Sequence, residues 1–143
     1  MNFIDPRGTD ITVNLYGGQD SGDPGHIGIS INGGQSQGYY GNVGENTGSS
    51  GPTISLLMGN SVPGALLPEQ RTPSKSITIN TTPAQDQAVQ SYLNSVQSSP
   101  GQYNLYTNNC ATTAGNALRS GGISVPGGPM SFIPVQFFNG ISY

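Results

Sequence analysis

The most informative part of the chain reads Tyr103-Asn104-Leu105-Tyr106-Thr107-Asn108-Asn109-Cys110 and leads into a helical pattern that runs to Ser120. Asn108 or Asn109 is suited to cap this helix, because a short polar side chain there accepts a hydrogen bond from a free backbone N–H. Cys110, the only cysteine of the chain, therefore begins the helix. Since the positive end of a helix dipole stabilises a thiolate, the position predicts a reactive thiol.

The only histidine, His26, begins an alternating segment, His26-Ile27-Gly28-Ile29-Ser30-Ile31, that is typical of a β-strand. A neighbouring imidazole is the base that most often activates a cysteine. Taken singly, a cysteine at a helix start is more often a small buried residue, and a lone histidine on a strand is more often structural. Taken together, Cys110 and His26 favour a nucleophile and its general base.

The rest of the pattern predicts a single α+β domain over residues 11–143, with an antiparallel sheet and helices packed on it. Thr82, Pro83 and Gln85 form a capping-box pattern at the start of a second helix. Residues 129–138 are expected to pack back on the core as a short helix or strand. We expect strands over residues 11–16, 26–31, 36–40, 53–58 and 76–80, and a surface excursion over 59–75.

The segment from Tyr103 to Cys110 resembles the cysteine motif of the PPPDE family, the DeSI-type desumoylating isopeptidases. Those enzymes have a circularly permuted papain-like fold and a His–Cys dyad, in which the histidine precedes the cysteine as it does here. The resemblance covers residues 26–122, although only the cysteine motif is specific. It implies a cysteine protease, isopeptidase or amidase that needs no cofactor. The broader permuted group includes NlpC-type peptidases and lecithin–retinol acyltransferase-like enzymes.

Under this hypothesis, Cys110 attacks a carbonyl carbon, and His26 accepts the thiol proton and later donates it to the leaving amine. The backbone N–H of Cys110, together with Asn109, is expected to bind the oxyanion. A hairpin loop at Gly33-Gly34 would pair Gly28 with Tyr39 and Ser30 with Gln37. That register puts Gln37 and Tyr39 on the face of His26, with Gln37 able to orient the imidazole, and a shift of one residue would turn both away.

The first ten residues are expected to be a junction with a larger protein. Residues 2–8, Asn-Phe-Ile-Asp-Pro-Arg-Gly, resemble the end of the core of Rhs-family polymorphic toxins, after which a variable toxin domain begins. An ordinary Asp-Pro turn is the alternative. The resemblance implies a secreted antibacterial effector that is delivered into a target cell, either to its cytoplasm or to its periplasm, and is neutralised by a cognate immunity protein.

Composition excludes several classes of function. Only 8% of the 143 residues are charged and the net charge is -3, so no basic stripe is present to bind nucleic acid. No apolar run approaches the roughly 20 residues of a membrane span. With one cysteine, one histidine and no suitable carboxylate cluster, we expect no metal site.

Three alternatives to a protein-directed hydrolase stay open at this point. The chain could be an NlpC-type peptidoglycan amidase or endopeptidase, or an acyltransferase or thioesterase acting on lipids. It could also be a non-catalytic binding module whose cysteine and histidine are structural. The sequence does not identify the substrate among these.

Overall fold

The computed structural model describes residues 9–20, 22–41, 58–127 and 131–141. Within them the fold is α+β, with a six-stranded antiparallel sheet of order β5-β1-β2-β3-β4-β6 and three helices. This confirms the α+β class. The strands are β1 (Asp10–Tyr16), β2 (His26–Ile31), β3 (Gln37–Gly41), β4 (Val62–Pro68), β5 (Lys75–Asn80) and β6 (Gln102–Tyr103); the helices are α1 (Pro83–Ser98), α2 (Cys110–Ser120) and α3 (Pro134–Asn139).

The core lies between one face of the sheet and the helices. In β1 the alternate side chains Ile11, Val13 and Leu15 are fully buried, as the period-two pattern requires. Val89 and Leu93 of α1, together with the alanine-rich side of α2, cover this face. Each buried aliphatic side chain of this kind contributes about 1.5–3 kcal/mol. The small alanines let α2 pack directly against β2 and β3.

The capping box at the start of α1 is confirmed. The Thr82 hydroxyl accepts from the N–H of Gln85, and the Gln85 side chain accepts from the N–H of Thr82. Pro83 occupies the first helical position, where its missing N–H costs no hydrogen bond. Local sequence therefore fixes where this helix begins.

The expected surface excursion over residues 59–75 is wrong, because β4 lies within it. Residues 64–68 of this strand pair with β3, and Val62 and Pro63 pair with β6. The strand tolerates Pro63 and Pro68 because they lie at its two ends, where ladder hydrogen bonds are fewest. Leu66, between them, is buried in the core.

The register of the β2–β3 hairpin also differs from the expected one. Asn32 and Gly33 both have positive φ, 52° and 73°, and the N–H of Gly34 donates to the carbonyl of Ile31. The hairpin thus turns at Asn32-Gly33, a favoured two-residue turn, and one additional residue follows on the β3 side. As a result Gly28 pairs with Gly38, where Tyr39 was expected.

Three expectations fall on residues outside the described ranges. Residues 1–8 of the junction expected at 1–10, and residues 53–57 of the strand expected at 53–58, are not described. The same holds for residues 42–51 of the Gly-, Asn- and Ser-rich segment 41–51, which the sequence predicts to be a loop. The expected packing of residues 129–138 is confirmed where the structure describes it, since α3 lies there with Phe137 and Phe138 buried.

Candidate active site

The site begins with His26 at the first position of β2. Its side chain lies on the sheet face opposite to Ile27 and Ile29, which face the core. Its Nε2 atom is 2.5 Å from Oε1 of Glu69, the residue that follows β4. The histidine side chain is 12% exposed and the glutamate side chain 1%. A contact this short between groups so well buried is a charge-assisted hydrogen bond.

Glu69 is fixed in place through its backbone as well as its side chain. Its N–H donates to the carbonyl of Ser36 at 2.8 Å, which continues the β3–β4 pairing beyond β4. The side chain of Gln35 donates to the Glu69 carbonyl at 2.8 Å. The carboxylate therefore projects from a position that the sheet itself determines, directly above the β2–β3 pair.

Glycine at position 38 makes room for this pair. A Cβ atom at Gly38 would collide with both Oε1 of Glu69 and Nε2 of His26. At Gly28, the residue paired with it, a Cβ atom would press against the hydroxyl of Ser36, and it would lie 3.1 Å from the Glu69 side chain. The imidazole and carboxylate thus rest on two glycines that bring them close to the backbone.

On the sheet face that carries His26, the polar side chains beyond the site form a hydrogen-bonded network. Nδ2 of the buried Asn14 donates to the hydroxyls of Ser30 and Ser36 at 3.0 and 3.1 Å. The hydroxyl of Ser76 donates to Oδ1 of Asn14 at 2.7 Å. Because every member has a partner, this network stabilises the strands under the site instead of leaving buried polar groups unpaired.

Cys110 occupies the first turn of α2, whose N-cap is Asn109. The Asn109 side-chain oxygen accepts from the N–H groups of Ala111 and Thr112 at 2.9 and 3.1 Å. Its amide nitrogen donates to the carbonyls of Leu105 and Phe132, each at 2.7 Å. Of the two asparagines suited to cap this helix, Asn108 and Asn109, the cap is Asn109.

The segment 132–135 links the start of α2 to the start of β2. Phe132 accepts the hydrogen bond from Asn109, and the N–H of Val135 donates to the carbonyl of Pro24 at 2.9 Å. Pro24 lies two residues before His26. The segment 132–135 is thus hydrogen-bonded both to the N-cap of α2, next to Cys110, and to the residues just before β2, next to His26.

The thiol of Cys110 and the carboxylate of Glu69 both act on the pKa of His26. Burial alone would lower the pKa of His26, but the charge and hydrogen bond of Cys110, followed by those of Glu69, raise it to about 9. Glu69 contacts the ring through its Nε2 atom. An imidazolium beside a cysteine favours the thiolate, which is the basis of the dyad expected from the sequence.

The structure brings together only some of the residues expected at the site. The thiol of Cys110 acts on the pKa of His26, whereas Gln37 pairs with Ile29 and so lies on the opposite face from His26. Tyr39 is also on the opposite face, where its hydroxyl donates to the carbonyl of Pro100 at 2.5 Å. The expected register, which placed both beside the imidazole, is therefore wrong, and the one-residue shift is the reason.

Asn109 is adjacent to Cys110, but its side chain is fully engaged. The oxygen accepts two backbone hydrogen bonds, and the nitrogen donates two. No N–H of this side chain remains to stabilise an oxyanion. The backbone N–H of Cys110, in contrast, has no acceptor within the described part of the chain.

Sequence reasoning missed Glu69 and Tyr40, which contact His26 directly. Glu69 is one of only two glutamates in the chain. The apolar run Ala65-Leu66-Leu67 precedes it, separated only by Pro68. Recognising that run as a strand would have placed a carboxylate at the end of the sheet. Tyr40 was missed only because the expected β2–β3 register placed it on the face opposite to His26.

No group of three or more potential metal-ligating residues occurs among the described residues. None of the helices in the described ranges is long and apolar enough to cross a membrane. A cavity of about 230 Å³ lies on the far side of α2, lined among others by Thr112, Asn116 and Arg119, and Cys110 does not line it.

Comparison with protein-family models, with curated proteins and with solved structures found no match.

Proposed function

We propose that this chain is a cysteine hydrolase with a permuted papain-like fold that cleaves an amide or isopeptide bond. Cys110 is the nucleophile, His26 is the general base, and Glu69 orients the imidazole. The observation that carries the proposal is the buried Glu69–His26 pair, whose imidazole is coupled to a thiol at a helix N-terminus. A nucleophile, a base and a group that orients the base are the three parts that this chemistry requires.

Each group has one task in the reaction. His26 accepts the thiol proton, and the thiolate of Cys110 attacks the carbonyl carbon to form a tetrahedral intermediate. His26 then donates that proton to the leaving amine, and a thioester remains on Cys110. Water, deprotonated by His26, hydrolyses the thioester. Throughout, the Glu69 carboxylate stabilises the imidazolium and prevents the ring from rotating.

The oxyanion is stabilised by the backbone N–H of Cys110 at the start of α2. This N–H has no other acceptor among the described residues, and the dipole of α2 adds to its effect. The Asn109 side chain is engaged in hydrogen bonds to the backbone and instead fixes the geometry of the helix start.

The biological setting of the proposal is that of an antibacterial effector. It rests on residues 2–8, which resemble the junction of an Rhs-type toxin. Under this proposal the domain is secreted and delivered into a target cell, and a cognate immunity protein covers the cleft around Cys110. The two candidate substrate classes are proteins, which the domain would reach in the cytoplasm, and peptidoglycan, which it would reach in the periplasm.

One observation favours a second role, that of a structural residue in a binding module. Cys110 is only 5% exposed and packs with the hydrophobic core. A thiol that served only for packing would tolerate replacement by a residue of similar size. Cys110→Ser therefore separates the two roles, because it preserves size but removes most of the nucleophilicity.

The test is expression of the wild type, Cys110→Ala and Cys110→Ser in a susceptible bacterium, with and without a periplasmic export signal. The proposal predicts that both variants lose toxicity while keeping the wild-type circular dichroism spectrum and melting temperature within a few degrees. Toxicity in the cytosol indicates a protein substrate, and toxicity only after export indicates peptidoglycan. Toxicity that survives Cys110→Ser would contradict the proposal and support the binding module.

A further inference from the structure

Tyr40 faces the site because of the register of β3. Gly28 pairs with Gly38, so the residues of β3 on the face of His26 are Gly38 and Tyr40. Tyr39 lies between them and points into the core. Two adjacent tyrosines of one strand thus have different surroundings, and only one of them belongs to the site.

Tyr40 contacts both members of the buried pair. Its hydroxyl lies 2.9 Å from Oε1 and 2.8 Å from Oε2 of Glu69, so it donates to the carboxylate between its two oxygens. Its ring stacks on the imidazole of His26, with ring centroids 4.3 Å apart and planes at 19°. Burial and the neighbouring Glu69 carboxylate raise the pKa of Tyr40 far above its ordinary value, so the hydroxyl stays a donor at every pH of interest.

The carboxylate of Glu69 depends on this donor. Oε1 also accepts from His26, whereas the only hydrogen bond that Oε2 makes within the described residues is the one from Tyr40. Without the hydroxyl, half of a carboxylate that is 1% exposed would be desolvated and unpaired. Such a group favours its neutral, protonated form, which no longer attracts the imidazolium.

We infer that Tyr40 is a positioning residue, whose hydroxyl holds the Glu69 carboxylate and whose ring holds the imidazole, so that His26 is kept oriented towards Cys110. This inference rests on the proposed function, because it assigns Tyr40 a part in the same site. Tyr40 contacts Glu69 and His26, and it acts through these two residues.

Other ionisable groups surround the pair and bear on any pH-dependent measurement. Tyr16 of β1 lies beside His26, with ring centroids 6.0 Å apart. The guanidinium of Arg71 lies 5.3 Å above the Tyr16 ring and interacts with the Tyr40 hydroxyl. The thiol of Cys110, on α2, also acts on the pKa of His26. Tyr40→Phe leaves all of these in place and removes a single oxygen.

The experiment compares Tyr40→Phe with the matched control Tyr39→Phe. Because the chain has one histidine and one cysteine, the imidazole signals in NMR spectra and the alkylation of the thiol by iodoacetamide each report on a single known group. For Tyr40→Phe we expect the His26 titration to move to lower pH by about one unit, and the low-pH end of the alkylation plateau to move to higher pH, because a less stable imidazolium stabilises the thiolate less. Tyr39→Phe should cost stability but leave both readouts unchanged.

A double-mutant cycle tests whether Tyr40 acts through Glu69. Adding Tyr40→Phe to Glu69→Gln should change the His26 titration no further, because the carboxylate that the hydroxyl holds is already absent. The inference is overturned if Tyr40→Phe leaves both readouts at the wild-type values, if both tyrosine variants change them equally, or if the effects in the cycle are additive. The NMR readout of His26 separates this failure from failure of the proposed function, because it needs no catalysis.

Discussion

Replacement of Gly38 by alanine tests directly how closely Glu69 and His26 lie above the sheet. The added methyl group would occupy the space now filled by Oε1 of Glu69 and Nε2 of His26. Neither group can simply withdraw, because Tyr40 binds the carboxylate and stacks on the imidazole. We therefore expect the substitution to separate the pair and to destabilise the fold.

The magnitude follows from two opposing contributions. An alanine within a strand is ordinarily favoured over glycine by about 0.5–1 kcal/mol. Overpacking of a well-filled site costs about 1–3 kcal/mol. For Gly38→Ala the second contribution is near its upper end, since two polar groups must move and lose their mutual hydrogen bond. The free energy of unfolding should therefore fall by about 2–2.5 kcal/mol.

Urea denaturation followed by circular dichroism measures this change, and iodoacetamide labelling of Cys110 measures the effect on the site. The matched control is Gly127→Ala, where among the described residues the added Cβ would meet only the guanidinium of Arg119, at 3.6 Å. We expect the control to be as stable and as reactive as the wild type. If Gly38→Ala were equally stable and labelled with an unchanged pH profile, the close approach of Glu69 and His26 described above would be refuted.

Three further substitutions probe the same arrangement. Glu69→Gln should lower the pKa of His26 from about 9 by about one unit or more, because it removes a charge in direct contact with the ring, and an unshifted NMR titration would argue against that contact. Gln37→Ala should leave alkylation of the thiol unchanged within about twofold, since Gln37 pairs with Ile29 away from the imidazole. A loss of reactivity would instead support the register that places Gln37 on the face of His26. Asn109→Ala should lower the free energy of unfolding in urea by about 1–2 kcal/mol through loss of the N-cap, while the pH at which alkylation of the folded protein is half-maximal stays the same. A shift of that pH would mean that Asn109 acts on the thiol itself.

Local sequence was sufficient for the parts of the fold that depend on local interactions. The capping box of Thr82 and Gln85 and the Asn109 cap fixed the starts of α1 and α2. The position of Cys110 on α2 and of His26 on β2 followed from the same short-range patterns. These elements are determined by hydrogen bonds between residues at most a few positions apart, which the sequence displays directly.

The hairpin register could not be predicted with the same certainty, because it depends on one residue. Asn32-Gly33 and Gly33-Gly34 are both good turn sequences, and the choice between them, with the additional residue that follows, decides which face each residue of β3 occupies. The wrong choice exchanged Tyr40 for Tyr39 at the site.

Glu69 escaped prediction because its contact with His26 spans 43 positions in the sequence. The strand that carries it contains Pro63 and Pro68, which made the segment resemble a loop. Only the pairing of β4 with β3, a long-range feature of the sheet, places this carboxylate over the imidazole.

The central claim is that Cys110 and His26 form an ion pair, and alkylation of the thiol against pH tests it most directly. Iodoacetamide is small enough for a thiol that is 5% exposed, and the single cysteine makes the labelled site unambiguous. Because the pKa of His26 is raised to about 9, the imidazolium persists at neutral pH. The account predicts a rate plateau that extends down to about pH 5–6 in the wild type and is lost in His26→Ala. A rate that rises only near the free-thiol pKa of about 8.5 in both proteins, or no labelling in either, would contradict it.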